Sequence, residues 1–216
     1  GAAGDDFGWS VALSGDTALV GAPYADVVQD VLGAAFVFTR SGSSWTQQAY
    51  LAPSEDVGAF YFGWSVALSG NTALVGSPGD YVGANTSQGA AYVFSRSGTT
   101  WSQQQRLTVA DGAEYDEFGI SVALDGNTAL VGAYHDDVGA NNDQGSAYVF
   151  TRSGTTWAPQ AHLIASDGAT WDAFGWSVAL SGDTLLVGAF LDDIGANGEQ
   201  GSVYFYYVPF KVFLPL

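Results

Sequence analysis

The 216-residue chain has no cysteine and no methionine, and only five basic residues, Arg40, Arg96, Arg106, Arg152 and Lys211. Without cysteine there are no disulfide staples, no thiolate metal sites and no cysteine nucleophile. Its two histidines, His135 and His162, do not recur at matched positions. A zinc site or a histidine-based catalytic centre therefore lacks partners. No run approaches the ~18 apolar residues that a membrane-spanning helix needs. The basic residues face 22 acidic ones, for a net charge of −17. Such a surface repels phosphate backbones and anionic headgroups, which argues against nucleic acid partners and membrane insertion. It favours divalent cations and cationic surfaces instead. A start at Gly1 without methionine fits a processed or excised chain, as removal of a signal peptide would leave.

What is present is a repeat. The stretch Phe7 to Pro23, FGWSVALSGDTALVGAP, returns as Phe62 to Pro78, Phe118 to Tyr134 and Phe174 to Phe190, with starts 55, 56 and 56 residues apart. A fixed period of this size means one supersecondary unit copied in tandem. The repeats run 7–61, 62–117, 118–173 and 174–216, within a single repeat domain spanning 1–216.

Each unit offers four strand-sized runs. In Gly8 to Leu13 the bulky Trp9, Val11 and Leu13 alternate with the small Ser10 and Ala12, a period of two. A Ser-Gly-Asp turn (Ser14-Gly15-Asp16 and its copies) joins this strand to Thr17–Ala22, because Gly tolerates positive φ there. The third run is Ala34–Thr39 and its copies Ala90–Ser95, Ser146–Thr151 and Ser202–Tyr207. A second Gly hairpin leads into a Gln-rich outer strand that opens at Trp45, Trp101 or Trp157. No segment has a sustained 3.6-residue period. The expectation is an all-β β-propeller of four repeats, each a blade of four antiparallel strands. A β-solenoid is the rival, but its coils are usually shorter and lack two tight hairpins per unit. The last repeat departs from the pattern: Pro209-Phe210 replaces the hairpin residues Ser153-Gly154, and its fourth strand is largely missing.

Phe-Gly followed fourteen residues later by Gly-Ala-Pro, and then by Gly-Ala-Ala-Tyr-Val-Phe, resembles the FG-GAP repeat. That repeat builds the N-terminal propeller of integrin α chains and is common in secreted bacterial proteins. The resemblance implies one blade per repeat, an extracellular or cell-surface and bacterial setting, and binding or scaffolding rather than catalysis. Integrin-type repeats often carry a calcium loop between their first two strands. Here that loop is only Ser14-Gly15-Asp16 and its copies, too short and too poor in carboxylates to carry the site over. Such propellers usually have more blades than four, so this chain must form a small ring, stay open, or complete itself with another copy.

The densest oxygen ligands lie between the second and third strands. Asp136, Asp137, Asn141 and Asp143 form one set, and Asp192, Asp193, Asn197 and Glu199 form another. The second repeat has Asp80, Asn85 and Gln88, and the first has Asp26, Gln29 and Asp30. Carboxylates and amides around glycine turns suit Ca²⁺, which takes six to eight oxygens. Asx-turns that use the same residues are the structural alternative. The linkers before each Phe-Gly carry more acid: Asp5 and Asp6, Glu55 and Asp56, Asp111, Glu114, Asp116 and Glu117, and Asp167 and Asp172. These either line a cation site or cap linker amides. A glycosidase would need one asymmetric carboxylate pair, whereas these recur in every repeat. Trp9, Trp64 and Trp176 are expected to pack between blades. Trp45, Trp101 and Trp157 are expected to cover core or edge, with sugar stacking as the alternative.

The functional expectation is a non-catalytic extracellular structural or interaction protein. It would self-associate into a dimer of half-rings or a fibre through its incomplete last blade. Val208, Phe210, Val212, Phe213, Leu214 and Leu216 of the apolar tail would pair with an open edge. The alternative is a calcium-dependent adhesin or lectin-like module with a protein or glycan ligand.

Overall fold

The computed structural model describes residues 2–26, 32–54, 58 and 60–207, and every structural statement below concerns those residues. They contain no helix. Their strands form four antiparallel sheets, the blades of a β-propeller.

The first blade comprises β1 (Ser10–Ser14), β2 (Thr17–Ala22), β3 (Leu32–Ser41) and β4 (Ser44–Leu51). A short strand β5 (Phe60–Phe62) then runs parallel to β3. The second blade is β6 (Ser65–Ser69), β7 (Thr72–Ser77), β8 (Ala90–Ser97) and β9 (Thr100–Leu107). The third is β10 (Ser121–Asp125), β11 (Thr128–Ala133), β12 (Ser146–Ser153) and β13 (Thr156–Leu163). The fourth has three strands, β14 (Phe174–Ser181), β15 (Thr184–Ala189) and β16 (Ser202–Tyr207). Each blade is ordered as its strands follow in sequence, as expected when every connection is a hairpin or short loop. The Ser14↔Thr17 pairing leaves a two-residue loop, with Gly15 at φ 57°. A left-handed glycine at that position suits the right-handed twist of a two-residue hairpin.

Blades stack face to face, and alternation along each strand supplies both faces. A forward face packs on the next blade and a rear face on the preceding one. Between the first and second blades, Leu19, Ala35, Val37 and Leu51 meet Phe62, Val66, Leu68, Tyr92 and Phe94. The second and third blades, and the third and fourth, meet in the same way. Each fully buried Val or Leu in these layers contributes about 1.5–3 kcal/mol relative to exposure.

The Phe-Gly corner locks each junction. Phe62 lies edge-on to Tyr92 and Phe94 of the second blade, with centroids 5.4 and 6.0 Å away, and Phe118 and Phe174 repeat the arrangement. The following glycine then enters a socket on the blade before. Ser10 Oγ donates to the Gly63 carbonyl at 2.8 Å, Ser65 Oγ to Gly119 at 2.8 Å and Ser121 Oγ to Gly175 at 2.7 Å. A Cβ on Gly21, Gly76 or Gly132 would collide with these same carbonyls. The recurring glycines of the repeat are thus the two halves of one contact: Gly63 inserts, and Gly21 makes room.

Candidate interaction surfaces

At the two ends of the stack the same positions are bare. Val11 is 70% exposed and Leu13 67%, where Val66 and Leu68 of the second blade are each at 9%. Phe205 is 73% exposed, where its counterparts Val37, Val93 and Val149 are fully buried. Among the described residues, no core cluster joins the fourth blade to the first. The self-association residues Val208, Phe210, Val212, Phe213, Leu214 and Leu216 lie outside the described residues.

The acidic loops are closed miniature hairpins. Val138 pairs with Asn141 and Ile194 with Asn197. Asp137 Oδ1 accepts the Asp143 amide at 2.9 Å, and Asp193 Oδ1 accepts the Glu199 amide at 2.7 Å. Asn141 Nδ2 donates to Gln144 Oε1 and to the Gly168 carbonyl, and Asn197 Nδ2 donates to Gln200 Oε1. Asp143 Oδ1 sits 2.6 Å from His135 Nδ1. Asp136 turns inward, accepting from Ser146 and Tyr148, and Asp192 accepts from Tyr204. The structure therefore spreads each set over several local bonds. Among the described residues, no three Asp, Glu or His side chains converge as a metal-ligand set. Gln29, Asp30, Glu55 and Asp56 lie outside them.

The linker carboxylates cap turns. Asp116 Oδ2 accepts the Ala113 amide and Asp172 Oδ2 the Ala169 amide, both at 2.6 Å. Burial pushes the Asp116 carboxyl up to about 7; the Ala113 bond opposes this, and Asp136, Asp137 and Asp111 add to it. Asp111 and Asp116 thus meet the third-repeat loop, which their sequence separation does not suggest.

One polar device escaped the sequence reading. In the second blade, buried Asp80 accepts from Ser77 and Tyr92, and Arg106 Nη2 sits 3.2 Å away. Burial raises the Asp80 carboxyl against the pull of Ser77, Tyr92 and Arg106. In the third blade His162 takes the Arg106 position, 3.5 Å from Asp136 and stacked on Tyr148. In the first blade all three positions change together, to Ala25, Phe36 and Tyr50. That joint change is the signal by which the sequence could have revealed the triad.

The tryptophans fall into two groups. Trp157 is buried and takes Arg152 over its ring, and Trp101 pairs likewise with Arg96, so these cover the core. Trp9 and Trp176 pack across blade junctions as expected, Trp9 against Trp64 of the next blade and Trp176 against Tyr134 of the preceding one, but both stay half exposed. The Trp9 and Trp64 rings lie tilted with centroids 4.6 Å apart, and Tyr24 and Tyr61 complete an aromatic shelf. The shelf borders a cavity of about 180 Å³ lined by Tyr24, Tyr61, Trp64, Ser87 and Glu117. Burial raises the Glu117 carboxyl.

The family model described as FG-GAP repeat matches residues 1–38, 45–94, 101–150 and 157–206. The chain belongs to the FG-GAP repeat family. Each later match starts in the outer strand of one blade and ends in the third strand of the next, so the FG-GAP sequence unit straddles a junction. Human integrin alpha-X is 30% identical over 202 residues, which cover 82% of this chain and 16% of that protein. The FG-GAP chain thus spans about a sixth of the length of that relative. Among solved structures, the phage phi92 endosialidase superposes with a TM-score of 0.50 at 14% identity, covering 95% of this chain and 36% of that one. At that identity the likeness concerns the fold alone.

Proposed function

We propose that this FG-GAP chain is a non-catalytic structural or interaction module, working outside the cell or on its surface in a bacterial setting, that self-associates. One observation carries the reading: the stack ends in two bare apolar faces whose internal counterparts are buried. The fourth blade places Val203, Phe205 and Tyr207 where the first blade has Ala35, Val37 and Thr39. The repeated carboxylates break no symmetry, so an acid and a base with split pKa values have no obvious seat. Light scattering on the full chain tests the reading. The expected mass is twice that of one chain or more, and it falls when the apolar segment Pro209 to Leu216 is deleted. A full-length chain that stays monomeric at high micromolar concentration removes the reading.

A second reading, a calcium-dependent adhesin or lectin-like module, is favoured by the half-exposed Trp9, Tyr24, Tyr61 and Trp64 shelf. Aromatic faces beside a carboxylate suit stacking against a sugar ring. Calcium would then act through the Asp136–Asp143 and Asp192–Glu199 loops, drawing oxygens away from their present hydrogen bonds. A glycan array run with calcium and with chelator tests this, and uniformly blank arrays remove the lectin version.

A further inference from the structure

We propose that the Phe7-Gly8 corner of one copy docks in an open Phe-Gly socket on the fourth blade of a second copy, joining copies head to tail. The inference rests on the self-association reading and says where the contact forms and what it contains.

Three junctions within the chain serve as the template. In each, a Phe-Gly corner occupies a socket made by a Ser on the inner strand, the Gly of Gly-Ala or Gly-Ser, and the Gly that opens the third strand. For Phe62-Gly63 these are Ser10, Gly21 and Gly33. The matching residues on the fourth blade are Ser177, Gly188 and Gly201. They line a cavity of about 370 Å³ with Phe190, Gln200, Ser202 and Val203. A Cβ on Gly21, Gly76 or Gly132 would collide with the incoming glycine carbonyl, whereas the nearest atoms to one on Gly188 all belong to Ser177 of its own blade. The socket is built and unfilled. The matching corner is also free: a Cβ on Gly63, Gly119 or Gly175 would strike the preceding blade, but one on Gly8 would meet nothing within 4 Å.

The polar contacts of the junction are left as matching halves. Arg96 Nη1 donates to Thr17 Oγ1 and Arg152 Nη1 to Thr72 Oγ1, while their remaining nitrogens hold Asn71 and Asn127. Arg40 holds Asp16 through Nε and Nη2, which leaves Nη1 for a threonine of a preceding blade. Thr17, Thr72 and Thr128 are buried; Thr184, the fourth of the series, is exposed. The Gly70 amide donates to Ser14 and the Gly126 amide to Ser69. By the same register the Gly15 amide faces Ser181 of the other copy. The rear face of the first blade is also the one that has lost the charged triad, carrying Ala25, Phe36 and Tyr50 instead. The uncovered rear face is thus one that lacks the charged triad and exposes Val11 and Leu13. Because the two surfaces differ, the contact is heterologous. Two copies that close form one ring with two identical joints, and copies that do not close run on as a fibre.

Two full-length variants test this. Gly188→Ala puts a methyl group where the Gly8 carbonyl must sit, at a position without positive φ, where the Ser177 hydroxyl, 2.5 Å from the new Cβ, must turn aside. The expected result is loss of the assembled mass in light scattering with unchanged far-UV circular dichroism. Gly15→Cys with Ser181→Cys places the only two thiols of the chain on opposite sides of the joint. Oxidation is expected to give disulfide-linked multimers on a non-reducing gel. An assembly that withstands Gly188→Ala and yields no crosslink overturns the proposed joint while leaving self-association standing. A crosslink confined to single chains also overturns it, because the ring then closes on itself. A monomeric wild-type chain overturns both readings.

Discussion

Arg96 reaches across the first blade junction and donates from Nη1 to Thr17 Oγ1 at 2.9 Å, and Arg152 repeats the bond to Thr72 at 3.0 Å. The same guanidinium lies over Trp101 of the outer strand, 5.2 Å from the ring centroid. One side chain thus ties an outer strand to its own hairpin and to the preceding blade. Thr17→Val keeps shape and loses the acceptor. With the charged donor only partly buried, the expected cost is about 1 kcal/mol, at the low end for a charged hydrogen bond. A cycle with Arg96→Met read by thermal unfolding should give a coupling of that size. Strictly additive single and double variants would mean that the bond carries no net energy.

The Asp80, Tyr92 and Arg106 triad predicts strong non-additivity. Removing the cation alone, as Arg106→Leu, leaves a buried carboxylate without its charge partner and is expected to cost about 3–5 kcal/mol. Replacing all three by the first-blade residues, Asp80→Ala, Tyr92→Phe and Arg106→Tyr, removes the charge together with its need for a partner. That triple variant is expected within about 2 kcal/mol of the original, since buried ion pairs replaced by apolar groups are often neutral. Urea unfolding measures both. A triple variant less stable than Arg106→Leu contradicts the account.

The fold was legible in the sequence because four copies of one pattern constrain each other. Period-two alternation in Trp9 to Leu13, glycine at each hairpin and the 56-residue period lead directly to the blades. The family resemblance to FG-GAP repeats rests on the same residues. The junction chemistry was less legible. Gly63 and Gly21 are far apart in sequence, and only the stacked blades bring the inserting glycine to the one that makes room. The candidate metal loops were found by composition, yet composition cannot say that Asp137 is held by the Asp143 amide or that Asp136 faces Tyr148. Trp9 meets Trp64 of the next blade as alternation suggests, but alternation assigns a face and does not say that half of the ring stays exposed.

Gly76 offers a contrast within the fold. Its backbone is ordinary, so alanine brings no φ strain, but its Cβ would overlap the Gly119 carbonyl and Ser65 Oγ. The carbonyl belongs to an inserted backbone corner that cannot rotate away. Gly76→Ala should therefore force the second and third blades apart and cost more than about 3 kcal/mol, at the upper range for overpacking. Gly126→Ala, at a turn where a Cβ would meet nothing within 4 Å but with φ 55°, should cost about 1 kcal/mol from the left-handed backbone alone. Equal losses in thermal unfolding would remove the steric explanation.

Acid should stabilise this chain over a window where many acidic proteins weaken. Asp116 is buried, and its carboxyl is pushed from an ordinary 3.8 up to about 7, first by burial and further by Asp136, Asp137 and Asp111. Burial shifts Asp80, Glu117 and Asp172 in the same direction. A carboxyl raised in the folded state binds its proton more tightly there than in the unfolded chain. Its contribution to stability is complete below pH ~4 and is lost as pH rises through the folded value near 7. The unfolding free energy should therefore rise as pH is lowered from 8 to 5, by up to about 1.4 kcal/mol per pH unit for each such group, and the melting temperature with it. Asp116→Asn retains an acceptor for the Ala113 amide and removes the titration. It should raise the melting temperature at pH 8, where the original carboxylate is charged, and have little effect at pH 5. Calorimetry across that range reads the difference, and a variant whose melting temperature parallels the original at every pH would show that Asp116 does not titrate within the window.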